Sequence, residues 1–293
     1  MTSHSTVNPR GDTFVGLMGG IGNILFQIAR GASLAAEGRA VRFFFVIPQS
    51  SLLYRALGWT QQPLWIDIAQ IVAELGLDIV SASPAVRVRL GMIFLQRKLR
   101  LVSAHTKFDL PLAEALNRAH GLDVGYFQSP AHLSQEGISR VLNALEPLCD
   151  HEPDTADARG VTVHMRGADI NKNERLKIAD VATVLANVPE TMPVRVVGND
   201  RDFMADLMAA NLRPLEFPQG TAFSDFCTIV NSQRLILSSS TFGFWAAALA
   251  NTRRPCPIHI QEGAIFTRFP ELFPNAALLP GEQMDARSEG TLE

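Results

Sequence analysis

Along this chain, stretches with the hydrophobic periodicity of a strand alternate with stretches that have the periodicity of a helix. Near the start, FVGLMGG predicts a short strand, and residues 22–38 place apolar side chains on one face of a helix that Gly38 ends. The unbroken apolar run VRFFFVIP, closed by Pro48, is typical of a buried parallel strand. These three elements predict a β-α-β unit. Further helical patterns cover residues 65–75, 111–119 and 133–145.

The alternation begins again after residues 146–160, an acidic segment with two prolines that is the best candidate for a domain boundary. VTVHM predicts a strand, ERLKIADVATVLANV a helix, VRVVG a strand and DFMADLMAAN a helix. RLILS then predicts a strand and FGFWAAALAN a helix. The pattern predicts an α/β protein with two halves. We place an N-terminal domain at residues 13–152 and a C-terminal domain at 153–285, between flexible ends at 1–12 and 286–293.

Composition and charge exclude several classes of protein. The chain is 47% hydrophobic and 19% charged, which is the balance of a folded globular protein rather than a disordered one. A net charge of −3 argues against binding to the phosphate backbone of nucleic acid. The three cysteines lack metal-binding spacing, and no apolar run reaches the roughly 18 residues of a membrane span. We therefore expect a cytoplasmic protein without a structural metal.

The first candidate site is the segment GGIGN, between the first predicted strand and the first helix. Gly20 and Gly22 allow a tight turn and a close approach of backbone to a ligand, and Asn23 ends the segment. The segment is not the dinucleotide fingerprint, because Leu25 stands where the third glycine would be. A glycine turn that serves only packing is an equally good interpretation.

The second candidate site is VHMRGADI, where a predicted strand ends and Arg166 enters the following loop. Loops after the strands of α/β sheets are where these folds bind ligands. The Arg166 guanidinium is permanently charged and can bind a phosphate through two parallel hydrogen bonds. A histidine or arginine at this place is also a common loop or capping residue, so His164 and Arg166 have a structural alternative.

The third candidate site is the serine-rich segment before the helix that begins at about Phe242. Hydroxyl groups and backbone N–H groups at a helix N-terminus attract anions. Ser239, Ser240 and Thr241 supply such groups. The same residues are ordinary helix caps, and a cap is compatible with a phosphate site.

Four segments of the chain resemble the α-1,2-fucosyltransferase family of bacteria and animals, and they occur in the same order. GGIGNILFQIA resembles the family's GGLGNQMFQYA, with Ile24 in place of a glutamine, and GYFQSP resembles GYFQSE. VHMRGAD resembles VHVRRGD, and SSTFGFWAAAL resembles SSFSWWGAWL. The resemblance covers the chain from about residue 14 to residue 255.

The resemblance implies a GT-B-like fold, in which two Rossmann-type α/β domains enclose a cleft, with residues 13–152 on the acceptor side and residues 153–285 binding the GDP-sugar. It also implies an inverting transfer of L-fucose from GDP-fucose to the 2-hydroxyl of a galactose-type acceptor, without a metal ion or other cofactor. By position, Arg166 would hold the β-phosphate, His164 would lie beside the nucleotide, and Asp200 would face the guanine N–H edge. Ser240 and Thr241 align with the family's hydroxyl pair before the helix. A bacterial surface glycan such as lipopolysaccharide is the expected product.

The chain departs from the family in its central motif, where Gly167 replaces the second arginine and Ala168 replaces the following glycine. Loss of one charge-assisted contact weakens binding by about 1.5 to 3 kcal/mol. A relative that binds a GDP-sugar or a glycan without turnover therefore remains an alternative. A Rossmann-type oxidoreductase is a second alternative, which the incomplete glycine fingerprint disfavours.

Further residues are candidates for catalysis and for the acceptor. Arg166 would stabilise the charge that builds up on departing GDP, and Asp169 is the nearest carboxylate for the acceptor's proton, although an Asp there also caps loops. Gln27, on the first helix, is a candidate on the acceptor side, with packing as the alternative. Residues 87–101 mix basic and apolar side chains. They predict either a peripheral contact with the inner face of a membrane, suited to a lipid-linked acceptor, or an ordinary core-facing helix.

Overall fold

A computed structural model describes residues 12–46, 66–82, 86, 88, 90, 122–149, 160–166, 176–210, 213–261 and 264–279. The chain divides into two compact units, Met1–His151 and Glu152–Glu293. The boundary predicted between residues 152 and 153 lies next to this division.

The first unit is built on a sheet whose four described strands are all parallel. Its elements are β1 (Asp12–Leu17), α1 (Ile21–Ala36), β2 (Ala40–Phe45), α2 (Ile68–Glu74), β3 (Asp78–Ile79), β4 (Leu122–Asp123) and α3 (Gln135–Cys149). A 3₁₀ turn at Pro130–His132 precedes α3. The strand order is β3-β2-β1-β4, so the direction in which strands are added reverses between β1 and β4.

The first helix, α1, is buried over most of its surface because it packs against both β2 and α3. Two glycines allow these close contacts. A Cβ atom added to Gly31 would collide with the ring of Phe43, and one added to Gly137 would lie 2.7 Å from the carbonyl oxygen of Ala29. The helix stops before Gly38, as predicted, because the φ angle of 81° at that glycine is left-handed.

The second unit contains a sheet of five described strands, again all parallel. Its elements are β5 (Val161–Met165), α4 (Ile178–Leu185), β6 (Val194–Gly198), α5 (Arg201–Ala209), α6 (Ala222–Val230), β7 (Arg234–Leu237), α7 (Thr241–Arg253), β8 (Ile258–Ile260) and β9 (Ala276–Leu278). A 3₁₀ turn at Ile265–Arg268 follows β8. The strand order is β6-β5-β7-β8-β9, which reverses between β5 and β7.

The central strand β5 is buried on both faces, with apolar Val161, Val163 and Met165 alternating with the buried polar residues Thr162 and His164. On one face, Val161 and Val163 pack with apolar residues of α4 and α5, including Val181 and Leu207. Because side chains alternate along a strand, His164 points to the opposite face. There the helices α6 and α7 pack against each other, and α6 contacts β5 and β6.

The predicted fold class of two Rossmann-type α/β domains is confirmed by these two parallel sheets with their interleaved helices. The cleft predicted between the domains stays a prediction. The sequence patterns missed α6 and the short strands β3, β4, β8 and β9. The strand β1 begins at Asp12, inside the predicted flexible end, because Asp12 and Thr13 pair with β2.

Several predictions fall on residues outside the described part of the chain. These are the flexible end at residues 1–11, the helix at 111–119, the tail at 286–293, Gly167 and Asp169, and the basic stretch 87–101 apart from the helical positions Val88 and Leu90. Within the described residues, no helix has the length and apolar character that crossing a membrane requires.

Candidate functional site

In the second unit, the candidate residues of the second and third sites meet at the carboxyl ends of β5 and β7. These two strands are hydrogen-bonded neighbours, and the chain leaves them in opposite directions, towards β6 and towards β8. The strand order corresponds to the 2-1-3-4-5 arrangement of doubly wound sheets. Ligands of such sheets bind beyond the carboxyl ends of the strands, at the point where the order reverses.

Arg166 directly follows β5, and Ser238 directly follows β7. The backbone N–H of Arg166 donates to Oγ of Ser238 at 2.9 Å, and the N–H of Ser238 donates to the carbonyl oxygen of His164 at 3.1 Å. These two hydrogen bonds join the loops and fix the point from which the half-buried Arg166 side chain leaves the sheet. The predicted strand end at Arg166 is thereby confirmed.

The N-terminus of α7 lies at the same edge of the sheet. Ser240 is its N-cap, and Oγ of Ser240 accepts the N–H of Gly243 at 3.3 Å. Thr241 and Phe242 occupy the first two positions of this 13-residue helix, where backbone N–H groups have no acceptor within a helix. The helix dipole adds a partial positive charge at this end, so the segment attracts anions. Ser239 is half-buried between Ser238 and the cap.

His164 is buried beneath this helix end, with 4% of its surface exposed. Its ring stacks on Phe242 with 5.5 Å between centroids, and a Cβ atom on Gly243 would lie 3.1 Å from Nδ1 of His164. Burial, and to a lesser extent the charge of Arg166, lowers the pKa of His164 from 6.5 to about 4. The imidazole is therefore neutral at pH 7 and supports the start of α7. Among the described residues its Nδ1 atom has no hydrogen-bond partner.

Asp200 follows β6 and is the N-cap of α5. Its side chain is buried, and Oδ1 accepts the N–H of Phe203 at 3.1 Å. This capping bond accounts for an Asp at the position. The guanine contact that the resemblance implied for Asp200 stays a prediction.

Asp225, on α6, is a candidate that the sequence analysis missed. Its carboxylate accepts a hydrogen bond from the backbone of Gly198, at the carboxyl end of β6. Burial raises the pKa of Asp225 to about 6, although the Gly198 bond acts in the opposite direction. A half-buried carboxylate at a strand end of a nucleotide-binding type of sheet is a typical ligand contact. The sequence signal that could have revealed this helix is Thr221. It is the N-cap of α6, and its hydroxyl oxygen accepts the N–H of Ser224.

The candidate residues of the first unit lie at its own strand reversal, beyond β1 and β4. Gly20 is the exposed N-cap of α1, and Gly22 is buried in the first turn. The turn needs glycine most at the preceding residue, Gly19, because its φ angle is 85° and a Cβ atom there would lie 2.9 Å from Nδ2 of Asn23. Oδ1 of Asn23 accepts a hydrogen bond from Nε2 of Gln128 at 2.8 Å, which links α1 to the loop after β4.

Gln27 is completely buried beneath these two loops. Its Oε1 accepts the N–H of Met18 at 2.8 Å, and its Nε2 donates to the carbonyl oxygens of Met18 and Gly125 at 3.2 and 2.9 Å. A side chain with this burial and these bonds holds the loops together. The structure therefore assigns Gln27 to positioning the loops rather than to touching an acceptor.

No cluster of three or more His, Cys, Asp or Glu side chains that could hold a metal ion occurs in the described part of the chain. The predicted residues divide between the units, with Gly20, Gly22, Asn23 and Gln27 in the first and the others in the second.

Comparisons with known proteins find similarity at the level of structure alone, since no protein-family model and no curated protein matches the chain. Similar solved structures are glycosyltransferases. The Escherichia coli ADP-heptose lipopolysaccharide heptosyltransferase II is 14% identical, with a TM-score of 0.45 over 91% of this chain and 89% of that one. The α-1,6-fucosyltransferase NodZ soaked with GDP-fucose is 15% identical, with a TM-score of 0.49 over 86% and 95%. A family 9 glycosyltransferase from Veillonella parvula is 10% identical, with a TM-score of 0.44 over 94% and 88%. Likenesses this distant say nothing about the reaction.

Proposed function

We propose that this protein is a glycosyltransferase whose nucleotide-sugar donor binds with its diphosphate beyond the carboxyl ends of β5 and β7. The observation that supports this most is the meeting of Arg166, Ser238 and the N-terminus of α7 at the strand reversal of the second unit. A guanidinium and helix N-terminal N–H groups are two means by which proteins bind phosphate. Here both are anchored to neighbouring strands.

We propose GDP-fucose as the donor. The support is the resemblance of the four segments, two of which, VHMRGAD and SSTFGFW, include Arg166 and the start of α7 at the reversal in the second unit. The Watson–Crick edge of guanine presents N–H donors, and an ionised carboxylate only accepts. We favour Asp225 for that edge, because it is half-buried at the strand end, whereas Asp200 is buried and caps α5.

The proposed reaction is an inverting transfer to the 2-hydroxyl of a galactose-type acceptor in a bacterial surface glycan. The bond between the fucose anomeric carbon and the β-phosphate oxygen breaks as the acceptor oxygen attacks from the opposite face, and GDP leaves with an additional negative charge. Arg166 and the first N–H groups of α7 stabilise that charge without a metal, and preorganised donors of this kind contribute about 3 to 4 kcal/mol each. Asp169 is the proposed base for the acceptor's proton.

Calorimetry with GDP, ADP and NADH, followed by transfer of radiolabelled fucose from GDP-fucose to lactose and other galactose-ended acceptors, tests this function. We expect GDP to bind more tightly than ADP or NADH, and transfer to persist in EDTA. Binding of GDP without turnover on any acceptor would favour a GDP-sugar-binding or glycan-binding relative. Binding of NADH in preference to both nucleotides would refute the proposal in favour of an oxidoreductase.

A further inference from the structure

Three aromatic rings of the second unit pack one against the next, from β5 to α6. The ring of Phe242 stacks on His164 with 5.5 Å between centroids and 24° between planes. It also meets the ring of Phe226 edge to face, at 5.5 Å and 79°. His164 belongs to β5, Phe242 to the first turn of α7, and Phe226 to α6. We call these three residues the aromatic column, which joins the central strand to both helices.

The rings of the column are next in sequence to the groups on which the proposed donor site depends. Phe242 occupies the second position of α7, whose first N–H groups bind the diphosphate in the proposed function. Phe226 follows Asp225, whose carboxylate accepts a hydrogen bond from the backbone of Gly198 at the end of β6. A movement of α6 relative to α7 would therefore change the distance between this carboxylate and the phosphate-binding N–H groups.

The packing of the column restricts such a movement. Phe226 is buried, His164 is buried, and Phe242 is half-buried. Rings in a close-packed interior have little room to shift, and aromatic pairs prefer edge-to-face and offset-stacked geometries. Burial lowers the pKa of His164 to about 4, so its ring is uncharged at pH 7 and packs without the cost of a buried charge. The start of α7 is thus held in place relative to α6.

The opposite ends of α6 and α7 are joined separately. Both helices run from the carboxyl edge of the sheet to its amino edge, because α6 leads into β7 and α7 leads back to the parallel strand β8. Arg254, the C-cap of α7, donates through Nη2 to the carbonyl oxygens of Asn231 and Ser232 at 3.2 and 3.1 Å, just after α6. The aromatic column therefore joins the two helices at the edge of the sheet where α/β folds bind ligands.

We infer that the aromatic column fixes the Asp225 carboxylate relative to the N-terminus of α7, so that one nucleoside diphosphate can contact the carboxylate with its base and the helix with its phosphates. The inference rests on the proposed function and deepens it. Phe226 and Phe242 are positioning residues that determine which nucleotide the site prefers. Without their rings, the phosphates still bind, but the base no longer meets the carboxylate in a fixed geometry.

Calorimetric titration of the full chain with GDP and with ADP separates the two ends of the site. The nucleotides share a ribose diphosphate, but guanine has N–H donors at N1 and N2, whereas adenine has an acceptor at N1. An ionised carboxylate only accepts, so it favours GDP. We expect Phe226→Leu and Phe242→Leu to raise the GDP Kd about tenfold and to leave the ADP Kd within about twofold of wild type. Phe242→Tyr keeps the ring and should keep the preference for GDP.

Arg254→Ala is the matched control, because it removes the contact at the opposite end of the same helix pair and should change neither Kd. A general loss of stability would lower the fraction of protein that binds, and hence the stoichiometry, without changing either Kd. Equal rises in both Kd values, or a preference for GDP that both leucine variants retain, would overturn the inference alone. A wild type that does not prefer GDP to ADP refutes the proposed donor, and the inference with it.

A double-mutant cycle tests whether the two helices act together. Phe242 and Asp225 belong to different helices, so the effects of their substitutions on GDP binding add unless the two positions are coupled. We expect Phe242→Leu to change the GDP Kd of Asp225→Ala by less than about twofold, because the contact that the ring positions is already absent. Additive losses would show that Phe242 acts on the phosphate end alone, which contradicts the positioning role.

Discussion

Replacement of Arg166 by alanine tests the placement of the donor diphosphate most directly. Arg166 follows β5, its backbone N–H is fixed to Ser238, and its half-buried charge is close enough to lower the pKa of His164. A guanidinium in such a place can make two charge-assisted hydrogen bonds to phosphate. Each is worth about 1.5 to 3 kcal/mol, and loss of the pair should cost about 3 kcal/mol after partial compensation by water.

At about 1.4 kcal/mol per factor of ten, this loss corresponds to roughly a hundredfold increase in the GDP Kd for Arg166→Ala. Arg166→Lys keeps the charge but not the planar fork, so we expect about a tenfold increase. Because the contact is ionic, the difference between wild type and Arg166→Ala should shrink as salt is raised. Isothermal titration calorimetry with GDP measures each of these constants.

The matched control is Arg254→Ala. Arg254 is an exposed arginine of the same unit whose Nη2 donates to the carbonyl oxygens of Asn231 and Ser232, on the amino side of β7. Its loss should leave the GDP Kd unchanged. If Arg166→Ala melts like wild type and its GDP Kd rises less than about threefold, the phosphate site lies elsewhere.

Four further predictions concern stability and pH. Gly137→Ala should lower the free energy of unfolding by about 1 to 3 kcal/mol, because its methyl group would press on the backbone of α1, and urea denaturation measures the loss. Arg213→Ala should destabilise the chain by about 2 to 3 kcal/mol in the same assay, since the guanidinium donates to four carbonyls of residues 188–192 at 2.8 to 3.2 Å. The folded-state pKa of His164 is lowered from 6.5 to about 4, so stability worth about 3 kcal/mol is complete above pH 6.5 and disappears as pH falls towards 4; His164→Leu should flatten that part of a stability-against-pH curve. GDP affinity should fall as pH drops below about 6, where Asp225 gains a proton, and Asp225→Asn should remove this dependence in calorimetric titrations.

The long elements of the fold could be predicted from the sequence because their burial and their ends are visible in the pattern of residue types. All five residues of β5 are buried, so its sequence VTVHM contains no Lys, Arg, Asp or Glu, and Gly38 has the left-handed backbone that ends α1. The strands β3, β4, β8 and β9 have two or three residues each, too few to show a period. The helix α6 follows the segment EFPQG, and its polar first turn looks like a continuation of that loop.

The site was predictable where it depends on a strand end, as at Arg166, and not where it depends on tertiary packing. Asp225 reaches Gly198 only because the connection from β6 to β7 carries α6 over β5 and β6, which no local pattern encodes. Unlike the contact of Asp225, the capping role of Asp200 is local and could be predicted from the sequence. The resemblance instead suggested a ligand contact for Asp200. Like the contact of Asp225, the packing alternative for Gln27 depends on tertiary structure, since its three hydrogen bonds go to backbone on two separate loops.

The distribution of acidic residues among the helices supports the assignment of α7 to an anion. Helices gain about 0.3 to 1 kcal/mol from a negative charge near the N-terminus. Of the seven described α-helices, α2 to α6 have an acidic residue at the N-cap or in the first turn, namely Asp67, Glu136, Asp180, Asp200, Asp202 and Asp225.

Only α1 and α7 begin without an acidic residue in either place, within the part of the chain that the structure describes. They are also the helices that directly follow β1 and β7, each a member of the strand pair at which its sheet reverses. An acidic residue there would stabilise the helix but repel a bound phosphate. Under the proposed function, the acid-free N-terminus of α7 is the main partner of Arg166 in holding the diphosphate, since Gly167 stands where the resembled family has a second arginine.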